Sequence, residues 1–430
     1  MINVFFTNKY YTSNFKDKHI EVLRMATLEE NSIVHPTEGE ETYVVREYPT
    51  FDDMALSDKL LRGIISHGFE KPSPIQSKAT VPIMEGREVI AQAPSGTGKT
   101  GAFCIGALSR IDPAIRTPQV LVLSHTRELS VQTTNVARGI SQYMGISVHC
   151  ATGGPPVAED VRALENGVHM LIGCPGRVLD LINRKKLNPA FIKLVILDEA
   201  DHMLKDKFLT QVVDILASGL SKDVKISLFS ATMPVHVSNF VRDVIETGGN
   251  KTIKILRDND KVTLAGIEQF YIKIRDEDKF NVLIDIYEQL PIHQLFIFVN
   301  TRRHAEWLAS KMAEFGHTIQ FIHADMDDAE RKRRMMEFKA GSCKVLISTD
   351  LLARGIDVQH VNLVINFQMP LNREDYIHRI GRSGRFGRKG TIINIVNETE
   401  YTSCVQDIER SYTTTIKEFS IDDLEILKRS

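Results

Sequence analysis

The sequence of 430 residues lacks a dominant charge, a long apolar run and any pairing of its cysteines. Lys and Arg number 53 and Asp and Glu 55, so the formal net charge is only −2. Overall charge therefore gives no sign of a nucleic-acid partner, and a basic binding surface would have to be gathered locally. Since no apolar run approaches the ~20 residues that a membrane-spanning helix needs, we expect no membrane partner.

The number and spacing of the cysteines exclude further classes of protein. The five cysteines are scattered along the chain, and none forms a Cys-X-X-Cys pair: Cys104, Cys150, Cys174, Cys343 and Cys404. This distribution argues against a disulfide framework or a zinc site and indicates a reducing compartment. We therefore expect a cytoplasmic protein, with the nucleus as the alternative.

Residues 1–48 show no helix or strand periodicity, and we expect a mobile N-terminal extension. Its first part mixes aromatic and basic residues, and an acidic part begins at Met25. One hypothesis is that Met25 is the working start codon, so that residues 1–24 do not belong to the working protein. The intact mass of the native protein tests this hypothesis.

Two series of short apolar runs alternate with helix-like segments after Phe51. Each run is continuously apolar, as expected for strands of a parallel sheet that is covered by helices on both faces. A polar and charged stretch separates the two series. The sequence therefore predicts an α/β fold with two tandem domains, at residues 49–250 and 265–430, joined by a linker at 251–264. The runs are EVIAQA, QVLVLS, HMLIGC, LVILDE and KISLFS, and then LFIFVN, IQFIHA, KVLIST, LVINFQ and TIINIV.

The stretch APSGTGKT, Ala93–Thr100, follows the first predicted strand and precedes an apolar helical segment. Gly96 and Gly98 let the backbone curl so that N–H groups point at a phosphate, and a helix N-terminus adds a favourable field. Lys99 can then reach the β and γ phosphates, and the Thr100 hydroxyl can hold Mg²⁺. The alternative is a plain glycine-rich turn, because the strict motif has Gly where Ala93 stands.

A second apolar run, in LVILDEADHML, ends in the carboxylates Asp198, Glu199 and Asp201. Parallel sheets bind ligands beyond the carboxyl ends of their strands, so Asp198 would lie where a nucleotide-bound Mg²⁺ sits. Glu199 could orient or deprotonate an attacking water. The alternative is a solvated acidic strand end or a helix N-cap.

The ordered motifs of the chain resemble those of the DEAD-box RNA helicases. They are FDDMALSDKLLRGIISHGFEKPSPIQ, APSGTGKT, DEAD, SAT, STDLLARGIDV and YIHRIGRSGRFGRKG, and the resemblance is nearly continuous from Phe51 to the C-terminus. It implies two RecA-like domains and an RNA-dependent ATPase that uses ATP and Mg²⁺. The phrases TLAGIEQFYI and LLARGIDVQ resemble those of the translation initiation factor 4A subfamily, and an exon-junction relative shares most of these phrases.

This resemblance implies roles for residues of both domains in nucleotide chemistry. Gln76 would read the adenine edge, Phe51 would stack on its ring, and Asp357 would contact the ribose. Arg382 and Arg385 would act as arginine fingers on the γ phosphate. The catalytic set is Lys99, Glu199, Arg382 and Arg385; the ATP-binding set is Phe51, Gln76, Ala93, Pro94, Ser95, Gly96, Thr97, Gly98, Lys99, Thr100 and Asp357; the metal set is Thr100 and Asp198.

The resemblance also implies an RNA surface and a link between it and the nucleotide. The RNA-binding set is Arg127, Gly153, Gly154, Pro175, Gly176, Arg177, Arg331 and Thr349, and the coupling set is Asp201, Ser230, Thr232 and His378. Contacts from arginines and glycines to phosphates carry no base code, so we expect single-stranded RNA to bind without sequence preference and with strong salt dependence. We expect a monomer, and a scaffold protein that bridges the two domains is a possible partner.

Five residues depart from the family's usual pattern. His125 stands where Pro is usual, Ser130 for Ala, Cys174 for Thr, Ala324 for Gly and Asp328 for Gln. We interpret these departures as changes in RNA-contact loops that leave the phosphate chemistry intact.

The main hypothesis is an ATP-dependent RNA helicase, which closes on ATP and RNA, separates short duplexes locally and reopens after hydrolysis, with a role in translation initiation. One alternative is an ATP-locked RNA clamp that nucleates a protein–RNA assembly of the exon-junction type. Another is a DNA translocase, which the adenine-sensing segment and SAT oppose.

Overall fold

Two parallel β-sheets form the framework of the protein. The computed structural model describes residues 43–246, 252–256, 267–290, 294–350, 361–383 and 390–419. Within these residues each sheet has seven strands, and all neighbouring strands run parallel. The predicted fold class, two tandem parallel sheets flanked by helices, is confirmed.

The first sheet has the strand order β3-β4-β2-β5-β6-β1-β7. Its strands are β1 Glu88–Gln92, β2 Val120–Leu123, β3 Val148–Ala151, β4 Met170–Gly173, β5 Leu194–Asp198, β6 Lys225–Ser230 and β7 Thr252–Ile255. Its helices are α1 Asp58–Ser66, α2 Pro74–Met84, α3 Lys99–Leu108, α4 Arg127–Ser141, α5 Val157–Glu165, α6 Pro175–Asn183, α7 Ala200–Met203, α8 Asp206–Leu216 and α9 Val235–Phe240.

The second sheet has the same arrangement, with the order β10-β11-β9-β12-β13-β8-β14. Its strands are β8 Ile267–Lys273, β9 Leu295–Phe298, β10 Ile319–Ile322, β11 Val345–Ser348, β12 Leu363–Asn366, β13 Gly390–Val396 and β14 Lys417–Glu418. Its helices are α10 Lys279–Gln289, α11 Arg302–Glu314, α12 Asp328–Lys339, α13 Arg373–Ile380, α14 Glu398–Glu400 and α15 Gln406–Tyr412.

Burial on both faces explains why the strands are continuously apolar. In β2, Val120 and Val122 pack into one core cluster, and Leu121 and Leu123 pack into another. Successive side chains of a strand point to opposite faces, so the two clusters lie on the two sides of the sheet under separate helix layers. Each apolar run predicted as a strand overlaps a strand of the structure.

The edges of the first domain differ from the prediction. The strand β7, at Thr252–Ile255, lies inside the stretch predicted as a linker at 251–264, and it pairs with β1. The first sheet therefore continues past residue 250. The sequence TIKI gave a weak signal because β7 is an edge strand with mixed polar and apolar residues, and β3, at the opposite edge, was missed for the same reason.

The last residues of the predicted N-terminal extension contact the first domain. The Tyr43 hydroxyl donates a hydrogen bond of 2.8 Å to Glu85 Oε2, and Glu47 forms an ion pair of 2.8 Å with Lys78. Predictions on residues 1–42, including the one on Met25, lie outside the described residues. None of the helices in the described residues combines the length and the apolar character that a membrane crossing needs.

Candidate active site between the two sheets

The loop between Ala93 and Gly98, predicted to bind phosphate and called the phosphate loop below, connects β1 to α3. Gly96 has φ 79° and Gly98 has φ 96°, a left-handed backbone that glycine adopts without strain. The turn lets α3 begin at Lys99, so the N-terminus of a buried helix faces the loop. The Lys99 ammonium is buried and donates a hydrogen bond of 2.5 Å to the Ala93 carbonyl. Burial lowers the pKa of Lys99, against the opposing effect of the nearby carboxylates.

Gln76 lies directly against this loop. Its Nε2 donates to the Gly98 carbonyl at 3.2 Å, and its Oε1 accepts from the Ser73 N–H at 2.8 Å in the capping box of α2. Phe51 is 3% exposed and stacks on Phe69 at 6.5 Å between ring centroids. The structure thus brings Gln76 to the loop and places Phe51 in the core beside it.

The carboxylates that follow β5 are buried opposite the loop. Asp198 ends the strand, and Glu199 has φ 51°, which turns the chain sharply into α7. Burial, with Glu199 beside it, raises the pKa of Asp198 to about 7. Burial alone would raise the pKa of Glu199 as well, but the cationic groups around it prevail and lower it. The surroundings therefore shift the pKa values of these two neighbouring carboxyl groups in opposite directions.

Asp201 joins the two domains. Its Oδ2 accepts a hydrogen bond of 2.7 Å from Thr232 Oγ1 and lies 2.6 Å from His378 Nε2 of the second domain. Its N–H donates to Ser230 Oγ at 3.3 Å. Although burial opposes it, these contacts, led by His378, hold the pKa of Asp201 well below its usual range. All four residues of the predicted coupling set thus meet in one buried network.

The second domain brings one arginine of the predicted finger pair to this site. Arg382 is 3% exposed and donates a hydrogen bond of 3.1 Å to the His378 carbonyl. Its positive charge favours the deprotonated forms of Lys99 and Glu199. A Cβ on Gly381 would lie 3.1 Å from Ser95 Cβ, so the end of α13 approaches the phosphate loop closely. Arg385 and Asp357 lie outside the described residues.

Arg379, three residues before Arg382, faces into its own domain. Its guanidinium forms a two-pronged ion pair with Asp350, at 2.5 and 2.7 Å, and donates to Asn300 Oδ1 at 2.8 Å. It is 1% exposed. Arg379 therefore ties α13 to the second sheet.

The carboxyl edge of the first sheet divides into two halves. The nucleotide candidates follow β1, β5 and β6, and the RNA candidates of this domain follow β2, β3 and β4, which are adjacent in the sheet. Gly153, Gly154 and Gly176 are exposed there. In the second domain Thr349 follows β11 and Arg331 lies on α12, next to the neighbouring strand β10.

Two of the predicted RNA-binding arginines make protein contacts. Arg177 forms an ion pair of 2.5 Å with Asp160 and donates to the Pro155 carbonyl at 2.8 Å. Arg331 forms an ion pair of 2.8 Å with Glu128, which links α12 of the second domain to α4 of the first. Both guanidinium groups are thus held by protein contacts near the strand ends where the RNA candidates lie.

Replacing Asp160 by Ala should destabilise the first domain by about 2–3 kcal/mol, since Arg177 and His149 both lose a carboxylate that is 2% exposed. Urea unfolding followed by circular dichroism measures this loss. Asp180→Ala, which removes the exposed pair with Arg184, is the control and should cost less than ~0.5 kcal/mol. Equal losses in the two variants would contradict a supporting role for Asp160.

His125, interpreted above as part of an RNA-contact loop, lies at the predicted catalytic residue Glu199. Its Nδ1 lies 3.4 Å from Glu199 Oε2, and its ring is 5.3 Å from that of His202. The reason is topological: β2 and β5 are neighbours, so the loop after β2 faces the carboxylates after β5. Sequence order alone cannot show this contact.

Two other departures contact each other. Ser130 Oγ and Cys174 Sγ are 3.7 Å apart, beneath the start of α6. Burial raises the pKa of the Cys174 thiol to about 11, so the thiol stays protonated near neutral pH. The pair therefore acts as small packing groups that support the start of α6 at Pro175 and Gly176.

Sequence reasoning missed one histidine of this site, His202. His202 lies between His125 and His378, at 5.3 and 5.2 Å between ring centroids, and its Nε2 is 3.8 Å from Asp375 Oδ1 of the second domain. The signal available was the position of His202 directly after DEAD. That position does not show which residues lie near His202 in space, so the histidine cluster is found only in the structure.

Comparison with known proteins agrees with this geometry. Residues 73–240 match the DEAD/DEAH box helicase family, and residues 278–387 match the helicase conserved C-terminal domain. Eukaryotic initiation factor 4A of Zea mays is 48% identical over 88% of this chain and 91% of its own length, and that of Drosophila melanogaster is 47% identical over 86% and 91%.

A solved structure has the same architecture. Dbp5 of S. cerevisiae, bound to RNA and ADP BeF3, superposes with a TM-score of 0.81 at 33% identity and covers 89% of this chain and 98% of its own. Its two domains are RecA-like, as the sequence predicted for this chain. The two family matches and the shared fold show that the chain belongs to the DEAD-box RNA helicases, which are RNA-dependent ATPases, and that it is related to eukaryotic initiation factor 4A.

Proposed function

We propose that this DEAD-box helicase binds ATP and single-stranded RNA together, that the two ligands close its domains into one catalytic site, and that closure separates short RNA duplexes locally during translation initiation. The observation that carries the proposal is the buried network of Thr232, Asp201 and His378. It joins the strand end next to the phosphate loop to α13, the helix that precedes Arg382. A site divided in this way can work only when the domains meet.

The residues of the first domain fit a nucleoside triphosphate with its metal. The phosphates would lie on the loop from Ala93 to Thr100, at the start of α3, with Lys99 exchanging its bond to Ala93 for the β and γ phosphates. Thr100 and Asp198 would hold Mg²⁺; Asp198 Oδ2 is buried and has no hydrogen-bond partner within the described residues, as a metal ligand would. The ion would supply charge neutralisation on the phosphates.

Hydrolysis would divide between the two domains. Glu199, whose pKa is lowered, stays ionised near neutral pH and can accept a proton from the attacking water or orient it. Arg382 and Arg385 would stabilise the charge that develops on the γ phosphate. Asp357 and Gln76 would hold the ribose and the adenine, with Phe51 supporting the ring.

RNA would lie along the second half of the sheet edge and cross to the second domain. Exposed Gly153, Gly154 and Gly176 allow phosphates to approach backbone N–H groups, and Arg127, Arg177, Arg331 and Thr349 lie around them. We expect affinity to fall steeply with salt and to show little sequence preference. The relatives are named as initiation factors, and the cysteine usage indicates a reducing compartment; both favour the cytoplasm, with the nucleus as the alternative. The protein would act as a monomer whose two domains a scaffold protein can bridge.

Gly101→Ala should weaken ATP binding about tenfold, because a Cβ there would lie 2.4 Å from Gln76 Nε2 and push the amide away from the Gly98 carbonyl. GTP binding should change much less, since the amide is proposed to read adenine. Titration of both nucleotides against the variant and the parent protein measures this. Equal losses for ATP and GTP would count against the adenine-reading role.

A short RNA duplex with a single-stranded tail tests the function. We expect multiple turnovers of ATP with release of the labelled strand, and competition by RNA in preference to DNA. One ATP bound for each stably held RNA, without strand release, would instead support the clamp alternative. Release that DNA duplexes support equally well would support a translocase.

A further inference from the structure

A cluster of side chains at the domain junction has ligand chemistry that ATP and RNA do not use. We propose that Asp201, His202 and His378 form a site for a transition-metal ion, with zinc as the best match, and that the ion bridges the two domains. One nitrogen or oxygen atom of each residue lies within 4.8 Å of the others. Asp201 and His202 belong to the first domain and His378 to the second.

Burial and unsatisfied atoms support a ligand at this point. Asp201 is 0% exposed and His378 is 1% exposed. Within the described part of the chain, Asp201 Oδ1 and His378 Nδ1 are buried and accept or donate no hydrogen bond. Buried polar atoms are normally paired, so two such atoms in one cluster indicate a missing partner.

The donor set selects the kind of ion. Two imidazoles and one carboxylate suit Zn²⁺ and its neighbours among the transition metals, whereas Mg²⁺ prefers oxygen ligands alone. Ligand atoms of a tetrahedral zinc site stand about 3.3 Å apart, given Zn–N bonds near 2.0 Å. The present spread of 4.8 Å would need to contract, while the contact of 2.6 Å between His378 Nε2 and Asp201 would lengthen.

Metal binding would alter the switch between open and closed domains. At present the closed arrangement is held there by the hydrogen bond between Asp201 Oδ2 and His378 Nε2. A coordinate bond from each domain to one ion would replace a reversible hydrogen bond with a stronger link. Reopening after hydrolysis should then slow, so that zinc acts as an inhibitor of turnover. The scattered cysteines gave no indication of zinc, because this site uses none of them.

The test for the site uses the full chain and Co²⁺ as a spectroscopic probe. We expect visible d–d absorption that saturates at one equivalent, without thiolate-to-metal charge transfer, and displacement by Zn²⁺. His202→Gln should weaken Zn²⁺ binding at least about tenfold in competition with a chromophoric chelator. His304→Gln, at an exposed histidine of the second domain, should bind as the parent does. Thiolate bands, or equal affinity in the parent and His202→Gln, would overturn the proposal.

The bridging role has its own readout. RNA-stimulated ATP turnover is measured with excess Mg²⁺ at increasing Zn²⁺, and each protein is normalised to its own rate without zinc. Inhibition should appear in the parent and shift to at least about tenfold higher Zn²⁺ in His202→Gln. The inhibition rests on the proposed function, so the absence of RNA-stimulated turnover would contradict that function. The Co²⁺ spectra would still test the metal site in that case. Identical inhibition curves for the two proteins would rule out the bridge.

Discussion

Glu199→Gln should produce a protein that still holds RNA in the presence of ATP but hydrolyses ATP about 10²–10⁴-fold more slowly. Gln keeps the size of Glu199 and can still orient a water, but it cannot accept a proton. The low pKa that its surroundings give Glu199 is what makes the carboxylate available near neutral pH. Single-turnover ATP hydrolysis and RNA retention on a filter measure the two effects separately.

Glu165→Gln is the matched control, since that carboxylate is 64% exposed and pairs with Lys186 at the surface. It should change neither turnover nor RNA retention. Should Glu199→Gln turn over like the parent, the carboxylate would have no part in the chemistry, and another group would have to activate the water.

Arg382→Ala should bind ATP but hydrolyse it about 10³-fold or more slowly. The guanidinium is buried, donates to the His378 carbonyl and acts by its charge on Lys99 and Glu199, which supports the proposed role on the γ phosphate. Steady-state turnover with RNA, together with ATP binding by fluorescence, separates loss of chemistry from loss of binding. Normal turnover would contradict the assignment of Arg382 as a finger.

Two further variants sharpen this experiment. Arg382→Lys keeps one charge but loses the forked geometry, and should recover only part of the rate. Arg379→Ala should act differently, since Arg379 is tied to Asp350 and Asn300 inside the second domain. We expect it to lower the free energy of unfolding of the protein, whereas Arg382→Ala should act mainly on the rate.

Much of the framework was predictable because it depends on local pattern. Continuous apolar runs identified strands buried on both faces, and the loop at Gly96 and Gly98 followed from the need for a left-handed backbone between strand and helix. Edge strands such as β7 were not predicted because they are only partly buried and mix polar with apolar residues. The signal for a strand weakens where only one neighbour pairs with it.

Side-chain partners across the domains were harder to predict from the residues. Arg379 and Arg382 belong to one basic segment, yet one supports the second sheet and the other reaches the site, because α13 ends at Ile380 and Arg382 follows it in a turn. His125 lies 74 positions before Glu199, and only the pairing of β2 with β5 brings them together. Such contacts depend on sheet order, which no short motif encodes.

We propose that neither domain alone forms the catalytic site and that RNA is needed to close it. ATP turnover by the full chain, measured with and without single-stranded RNA at constant Mg²⁺ and salt, is the decisive experiment. We expect slow hydrolysis without RNA and a large acceleration that saturates with RNA. A rate that is equally high without RNA would contradict it.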